Sequence, residues 1–302
     1  MKRSLRTSYH RRLKLTSFLL CLPALPFIAF ALYSILYAIL MSLNSNDAIL
    51  RGEGFHFVGL ENYRATLGDS QFMGVMGNTF LFAACSIVIE LILGLVISAA
   101  LFKNLKGVSI FKVCIVLPMM MAPIASGAIW RWMFTDRYGV INRLLEIIGI
   151  KGPYWLGAGI PAKAAVVAVS VWGALPFSIL ILLAAMSNVS KDVLESACID
   201  GANSAQAYWY IIFPSLKSSL FVILLIRIPD ALKLYDIIYI LTGGGPANAT
   251  QTINYYIYQL GWKSMRFGDA SAYSVLLLSF IVAFTLIMNK AFYRKKKYAE
   301  GD

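Results

Sequence analysis

The chain has 302 residues, 59% hydrophobic and only 14% charged, with a formal net charge of +12. Soluble domains carry about 45–50% apolar and about 25% charged residues, so too few ionic side chains are present to solvate a water-exposed surface of this size. The positive charge sits beside apolar runs instead of covering one face of a soluble fold, which argues against a nucleic-acid partner and for a membrane.

Crossing a bilayer takes about 20 apolar helical residues. Six runs reach that length: Thr16–Met41, Asn78–Phe102, Ile110–Trp130, Ala164–Met186, Ala207–Ile228 and Ala270–Met288. The expected organisation is a basic tail over 1–15, one all-α polytopic domain over 16–289, and a basic tail over 290–302. The first run is longer than a signal-peptide core and lacks a small-residue cleavage site, so it reads as an anchor. The loop from Asn44 to Gly77 mixes charge with Phe55, Phe57 and Tyr63, the composition of an ordered cap. Glu90 falls inside the second run, where an ionised carboxylate must be paired, neutralised or hydrated. It reads either as a polar contact on a solute path or as a packing carboxyl. The fifth run carries Pro214, Lys217 and Arg227, and Arg227 is expected to reach the headgroups by snorkelling.

With six spans both termini share a side. The segments on that side, 1–16, 103–112, 187–209 and 290–302, hold fifteen Lys/Arg against five Asp/Glu. The opposite segments, 44–77, 131–163 and 230–270, hold ten against nine. The positive-inside rule therefore makes both termini cytoplasmic, led by Lys2, Arg3, Arg6, Arg11, Arg12, Lys14 and Arg294 to Lys297. The basic excess is thus a matter of topology.

Searches for reaction chemistry return little. His10 and His56 both lie outside the runs, and no HExxH, Walker A or C-x-x-C pattern occurs. Cys21, Cys85, Cys114 and Cys198 are widely spaced and read as small apolar residues. Gly157 to Ala162 fits a loose G-x-G-x-x-A pattern but puts Pro161 at the helix start, with no strand before it.

The loop between the fourth and fifth runs carries more information. Ser190 is placed to cap a short helix with Asp192 in its first turn, and Gly201 supplies a turn. Ser196, Ala197 and Ala202 are small enough for another backbone to approach, so a bulky charge at Gly201 would enter a close-packed turn. The segment is net acidic, unlike the Lys/Arg-rich helices that lie on a bilayer.

Glu195-Ser196-Ala197, Gly201 and then, after nine residues, Ile211-Ile212-Phe213-Pro214 resemble the E-A-A-x3-G-x9-I-x-L-P loop of permease subunits of binding-protein-dependent ABC importers. Ser196 replaces the second alanine and Phe213 the leucine. Leu241-Thr242-Gly243-Gly244-Gly245-Pro246, with Thr250, Tyr256, Tyr258 and Phe267 to Ala272, resembles the last external loop of the first permease class of the maltose-transporter type. The resemblance runs from about the first span to the C-terminus. It implies the type I importer permease fold, a bacterial inner-membrane location and a division of labour. This chain would form half of the path for a carbohydrate. A second permease, two ATPase subunits carrying ATP and Mg, and an extracytoplasmic solute-binding protein would complete the importer, with no cofactor on this chain. Leu194, Glu195, Ser196, Ala197, Asp200, Gly201 and Ala202 would dock in the ATPase, and Asp200 with Gly201 would fix the bend between two short helices.

For the solute path, the Trp172-x3-Pro176 pattern points to Ser170, Ala174 and Phe177, and counting back from Gly244-Gly245-Pro246 points to Asp230, Ala231 and Leu234. The last three differ from the aromatic and asparagines of the maltose subunit, which argues against maltose itself. Phe177 and Tyr235 would stack on sugar faces, and Asp230, Lys233 and Asp236 would bond hydroxyls or a charged group; these side chains also suit a water interface. A glycerol phosphate or an acidic oligosaccharide would keep every docking feature and change only the pocket. A self-contained channel or proton-coupled carrier would need repeated intramembrane charge or an inverted repeat.

Overall fold

The computed structural model describes residues 22–46, 51–102 and 108–299. Both basic tails beyond these limits, Thr16 to Cys21 of the first expected span, and the side chains of Arg294 to Lys297 lie outside the described residues. Within them the architecture is helical. Four helices, Leu22–Ser42, Phe72–Phe102, Gly159–Ser187 and Phe267–Phe292, are long and apolar enough to span a bilayer, and two bent pairs bring the total to six if each pair is one span.

The chain divides into two units. The smaller holds residues 1–68 and 260–276. Its helix Leu25–Ser42 (α1) buries none of its most apolar window within the chain. Below it the expected cap is ordered in its described part. The Asn62 side chain donates to the Ser42 and Asn44 carbonyls at 2.8 and 2.9 Å, on the short helix Glu61–Gly68 (α2). The hydroxyls of Ser42 and Tyr63 lie 2.6 Å apart, and Asn46 accepts from the Gly268 amide at 2.8 Å. A Cβ on Gly268 would stand 2.6 Å from the Asn44 carbonyl, so only glycine lets the backbones meet there.

The larger unit holds residues 69–259 and 277–302. Its frame is the pairing of helix Phe72–Phe102 (α3) with helix Gly159–Ser187 (α7), joined by helix Lys217–Leu232 (α10). Both long helices are apolar around their whole circumference, the composition of a segment between protein and lipid rather than between core and water. Where they cross, a Cβ on Gly94 would sit 3.4 Å from both Leu182 and Ser178. Leu182, Met186, Leu216 and Ile223 form one core cluster; Phe82, Val166, Val169 and Ile238 belong to another.

Two expected spans are broken. The run Ile110–Trp130 forms helices Val108–Met120 (α4) and Pro123–Met133 (α5), with a 103° bend for Ile110–Met120 against Pro123–Met133. Pro123 sits in the first turn of α5, so the break falls at Met121 and Ala122, where the proline ring stops the preceding ladder. The run Ala207–Ile228 becomes Ser204–Ser215 (α9) and α10, bent by 57°. Pro214 has no N–H for the Tyr210 carbonyl, and the chain widens into a π turn over Tyr208–Ile212 before breaking at Leu216. The remaining helices overshoot their apolar runs. α3 begins at Phe72, α7 at Gly159 and the last helix, Phe267–Ala299 (α11), at Phe267, because hydropathy marks the lipid-matched stretch and not the helix end. Pro161 lies in the first turn of α7 with no strand before it, so the glycine pattern at 157–162 is a helix start.

α5 packs closely on the π turn Ile238–Thr242. A Cβ on Gly127 would stand 2.0 Å from Cγ2 of Ile240 and 4.0 Å from the Ile237 backbone. Gly127→Ala is therefore expected to destabilise the subunit by about 1–3 kcal/mol through overpacking. Thermal unfolding in detergent checks this; an unchanged midpoint would show that Ile240 swings aside freely.

Candidate functional site

A cavity of about 330 Å³ opens among α3, α5, α7 and the end of α10. Of the ten expected path residues, Ser170, Ala174, Asp230, Ala231, Lys233, Leu234, Tyr235 and Asp236 line it. Their convergence follows from the fold. α7 presents Ser170 and Ala174 four residues apart on one face, and the chain leaves α10 after Leu232, which turns Lys233 to Asp236 over the opening. Phe177 is not in the lining. It follows Ser170 by seven residues, about two turns and roughly 10 Å farther along α7.

Glu90 lies behind the wall instead of in it, 1% exposed. Its Oε1 accepts from Ser178 Oγ at 2.6 Å, and Arg227 Nε lies 3.1 and 3.2 Å from the two carboxylate oxygens. Arg227, whose side chain is 16% exposed, does line the cavity. This corrects the snorkelling expectation: a carboxylate buried on α3 gives the guanidinium of α10 a partner that water would otherwise have to supply. From Arg227 the chain of charges continues to Asp230 at 3.4 Å, and Lys233 stands 3.8 Å from Asp230. The alternation of sign along Glu90, Arg227, Asp230 and Lys233 compensates each charge by its neighbour. The signal was present in sequence as one acid and one base in two different apolar runs. Phe82, Ser86, Ser126 and the Pro118 to Pro123 bend also line the cavity and were not singled out from sequence, since serine in an apolar helix carries no pattern of its own.

Above this opening four tyrosines gather. The ring of Tyr235 stacks with those of Tyr239 and Tyr255, at 5.7 and 6.3 Å between centroids, and meets Tyr258 edge-on at 5.5 Å. Burial first, then Tyr258, Tyr239, Asp236 and Tyr255, push the Tyr235 phenol up to about 12. It stays a neutral donor at every physiological pH. The glycine loop next to it is ordered. Gly243, at φ +60°, ends the π turn, so these glycines do stop a helix. Thr250 Oγ1 then donates to the Gly245 carbonyl at 2.7 Å and lies 2.8 Å from Thr242 Oγ1, and Asn78 donates to the Gln251 carbonyl at 3.1 Å.

The loop at the other end of α7 also has the expected local form. Ser190 Oγ accepts from the Asp192 amide at 3.2 Å and starts helix Lys191–Ile199 (α8), which holds Leu194, Glu195, Ser196 and Ala197. Asp200 caps it, and Gly201 turns the chain at φ +86°. Asn203 and Gln206 then form a reciprocal capping box at 2.8 and 2.9 Å that starts α9; the N-x-x-Q spacing was legible in the sequence and not used. No residue of α8 is buried, and Val193 and Ile199 are 49% and 87% exposed. Within this chain a Cβ at Gly201 meets nothing within 4 Å, so here the constraint on that residue is the left-handed backbone.

Residues 90–297 match the family described as the binding-protein-dependent transport system inner membrane component. The trehalose/maltose transport system permease protein of Thermococcus litoralis is 37% identical over 78% of this chain and 79% of its own length. The sn-glycerol-3-phosphate transport system permease protein of Agrobacterium fabrum is 30% identical over 82% and 84%. In fold, the chain is similar to a subunit of a bacterial ABC transporter that imports the acidic polysaccharide alginate, with a TM-score of 0.81 at 20% identity over 92% of this chain and 94% of that one. A helical chain whose described residues hold four helices long and apolar enough to cross a bilayer and two bent pairs, matched in this way over more than two thirds of its length, belongs to the family of inner-membrane components of binding-protein-dependent transport systems and is a permease subunit of an ABC importer.

Proposed function

We propose that this subunit forms half of the path for a neutral carbohydrate, handed over by an extracytoplasmic binding protein and driven by an ATPase on separate chains. The observation that carries the reading is the convergence of eight expected path residues on one cavity where Arg227 and Lys233 are each paired with a carboxylate and Asp236 adds a further acceptor. A hydroxyl-rich, uncharged solute fits such a wall: Asp230 accepts, Lys233 and Arg227 donate, and the tyrosine cluster offers flat apolar faces to sugar C–H surfaces. The trehalose/maltose relative supports the solute class, and the alginate importer, solved with its substrate-bound periplasmic protein, supports delivery by a binding protein.

The exposed helix α8 and the Gly201 turn are the docking element. An ATPase dimer closing on ATP and Mg pulls on Glu195 to Ala202, and the movement passes through α7 and the bent α9–α10 pair to the cavity wall. The charge distribution puts this loop and both termini in the cytoplasm of a bacterial inner membrane. A second permease supplies the other half of the path.

Affinity purification of the tagged chain from its native membrane, followed by mass spectrometry, tests the assembly. A P-loop ATPase and a second permease are the expected companions, and recovery of neither from a well-folded preparation overturns the reading. A second reading, an anionic solute such as a glycerol phosphate, draws on Lys233 and on the sn-glycerol-3-phosphate relative. It is weakened by Asp230, which sits between Arg227 and Lys233 and neutralises the positive field that a phosphate would need.

A further inference from the structure

Most hydroxyls inside the long apolar helices bond to their own backbone or to a neighbouring helix, and Ser86 does not. Ser34, Thr79, Ser170, Ser187, Ser274 and Thr285 each donate to the carbonyl four residues back, at 2.6 to 2.9 Å. A serine in an apolar helix satisfies itself in this way because no water is at hand. Ser86, in the middle of α3, is 3% exposed, yet its Oγ has no hydrogen-bond partner among the described residues. It lines the solute cavity. A buried hydroxyl left without a partner in a native fold calls for an explanation, and one explanation is a ligand that comes and goes.

The residue one turn further along α3 is Glu90, which holds Arg227 at the same cavity wall through Nε. Nη1 of Arg227 turns to Asp230, and its Nη2 makes no hydrogen bond among the described residues. The wall therefore carries an unpaired hydroxyl, able to give or accept, beside a guanidinium with donors to spare and a carboxylate able to accept.

We propose that Ser86 on α3 and Arg227 on α10 form a hydroxyl-binding subsite in the cavity wall that takes neighbouring hydroxyls of a carbohydrate. This rests on the sugar reading above. One sugar oxygen accepts from Arg227, and the adjacent hydroxyl exchanges a hydrogen bond with Ser86. The pairing selects among sugars, because a solute lacking a hydroxyl at that position leaves Ser86 buried and unpaired, the arrangement by which polar sites discriminate most strongly.

Ser86 is the residue to change, since removing Arg227 would also leave Glu90 without its partner. The importer, reconstituted in proteoliposomes with its ATPase, second permease and binding protein, is offered trehalose, maltose and sn-glycerol 3-phosphate. Ser86→Ala is expected to slow import of whichever sugar the wild type carries by about tenfold. It should leave the thermal unfolding midpoint of the subunit equal or higher, because an unsatisfied hydroxyl has been removed; a purely structural serine would lower midpoint and import together. In a background without the four native cysteines, the thiol of the Ser86→Cys variant should react several-fold more slowly with a methanethiosulfonate reagent when that sugar is present. A sugar imported equally by the wild type and Ser86→Ala, with no protection of the thiol, overturns the subsite and leaves the sugar reading standing. Import of sn-glycerol 3-phosphate alone overturns the sugar reading and the hydroxyl subsite with it.

Discussion

Glu90→Ala is expected to lower the stability of the subunit by roughly 3–5 kcal/mol, the usual cost of leaving one member of a buried ion pair alone. The carboxylate is 1% exposed and takes three hydrogen-bonding contacts from two other helices, Ser178 on α7 and Arg227 on α10. Its loss leaves the Arg227 guanidinium with only the longer Asp230 contact and removes the polar link among the three helices that frame the cavity. Thermal unfolding in detergent and the yield of folded subunit measure this directly. The double change Glu90→Leu with Arg227→Met should recover most of the midpoint, since an apolar pair of similar volume carries no desolvation cost, while transport stays lost because Arg227 lines the path. A single variant that unfolds with the wild-type midpoint would show that the pair is a side-chain arrangement without energetic weight.

Gly201→Val should abolish transport while leaving the chain inserted and folded. At φ +86° a β-branched residue cannot follow the backbone without a cost of about 1–3 kcal/mol, and the cheapest relief is to re-form the turn after Asp200. That re-aims α8 relative to α9 and with it the exposed Val193 and Ile199 face. Since nothing within 4 Å in this chain would touch the new side chain, folding has little to lose. Uptake and ATPase co-purification separate the outcomes: uptake is expected to fall at least tenfold, with ATPase retained poorly, and unchanged uptake would remove this loop from the coupling route. Gly201→Ala, which strains the same φ with less bulk, should lie between the two.

Much of the local chemistry was readable without coordinates. The cap at Ser190, the turn at Gly201 and the helix stop at Gly243 are near-neighbour effects. Each depends on hydrogen bonds or dihedrals within a few residues, and those are encoded where they act. The six apolar runs were legible for a similar reason, because twenty residues of hydrocarbon match a bilayer whatever they pack against. What went astray was long-range. Arg227 looked like a headgroup anchor because its partner Glu90 is 137 residues away, and no periodicity links an acid in one run to a base in another. Phe177 was placed on the path by spacing alone; it shares the helix face of Ser170 and Ala174, but how far along α7 the cavity reaches depends on the helices packed around it. The bends at Met121 to Ala122 and at Leu216 were signposted by Pro123 and Pro214, but their angles were not, since a proline states that the ladder breaks and only the neighbouring helices decide where the next one points.

By itself, then, the sequence determined that this protein lives in a membrane, how many apolar elements it has, which loop turns where and, through that loop, the family it resembles. The tertiary structure alone decided that Asp230, Lys233, Ser170 and Ala174 share a wall, that Glu90 holds Arg227 to it from behind, and that Ser86 is left there with nothing to bond. The physical reason is range: hydropathy, capping and turn chemistry act over a few residues, whereas the pairing of a buried charge or the isolation of a buried hydroxyl is a property of three helices at once.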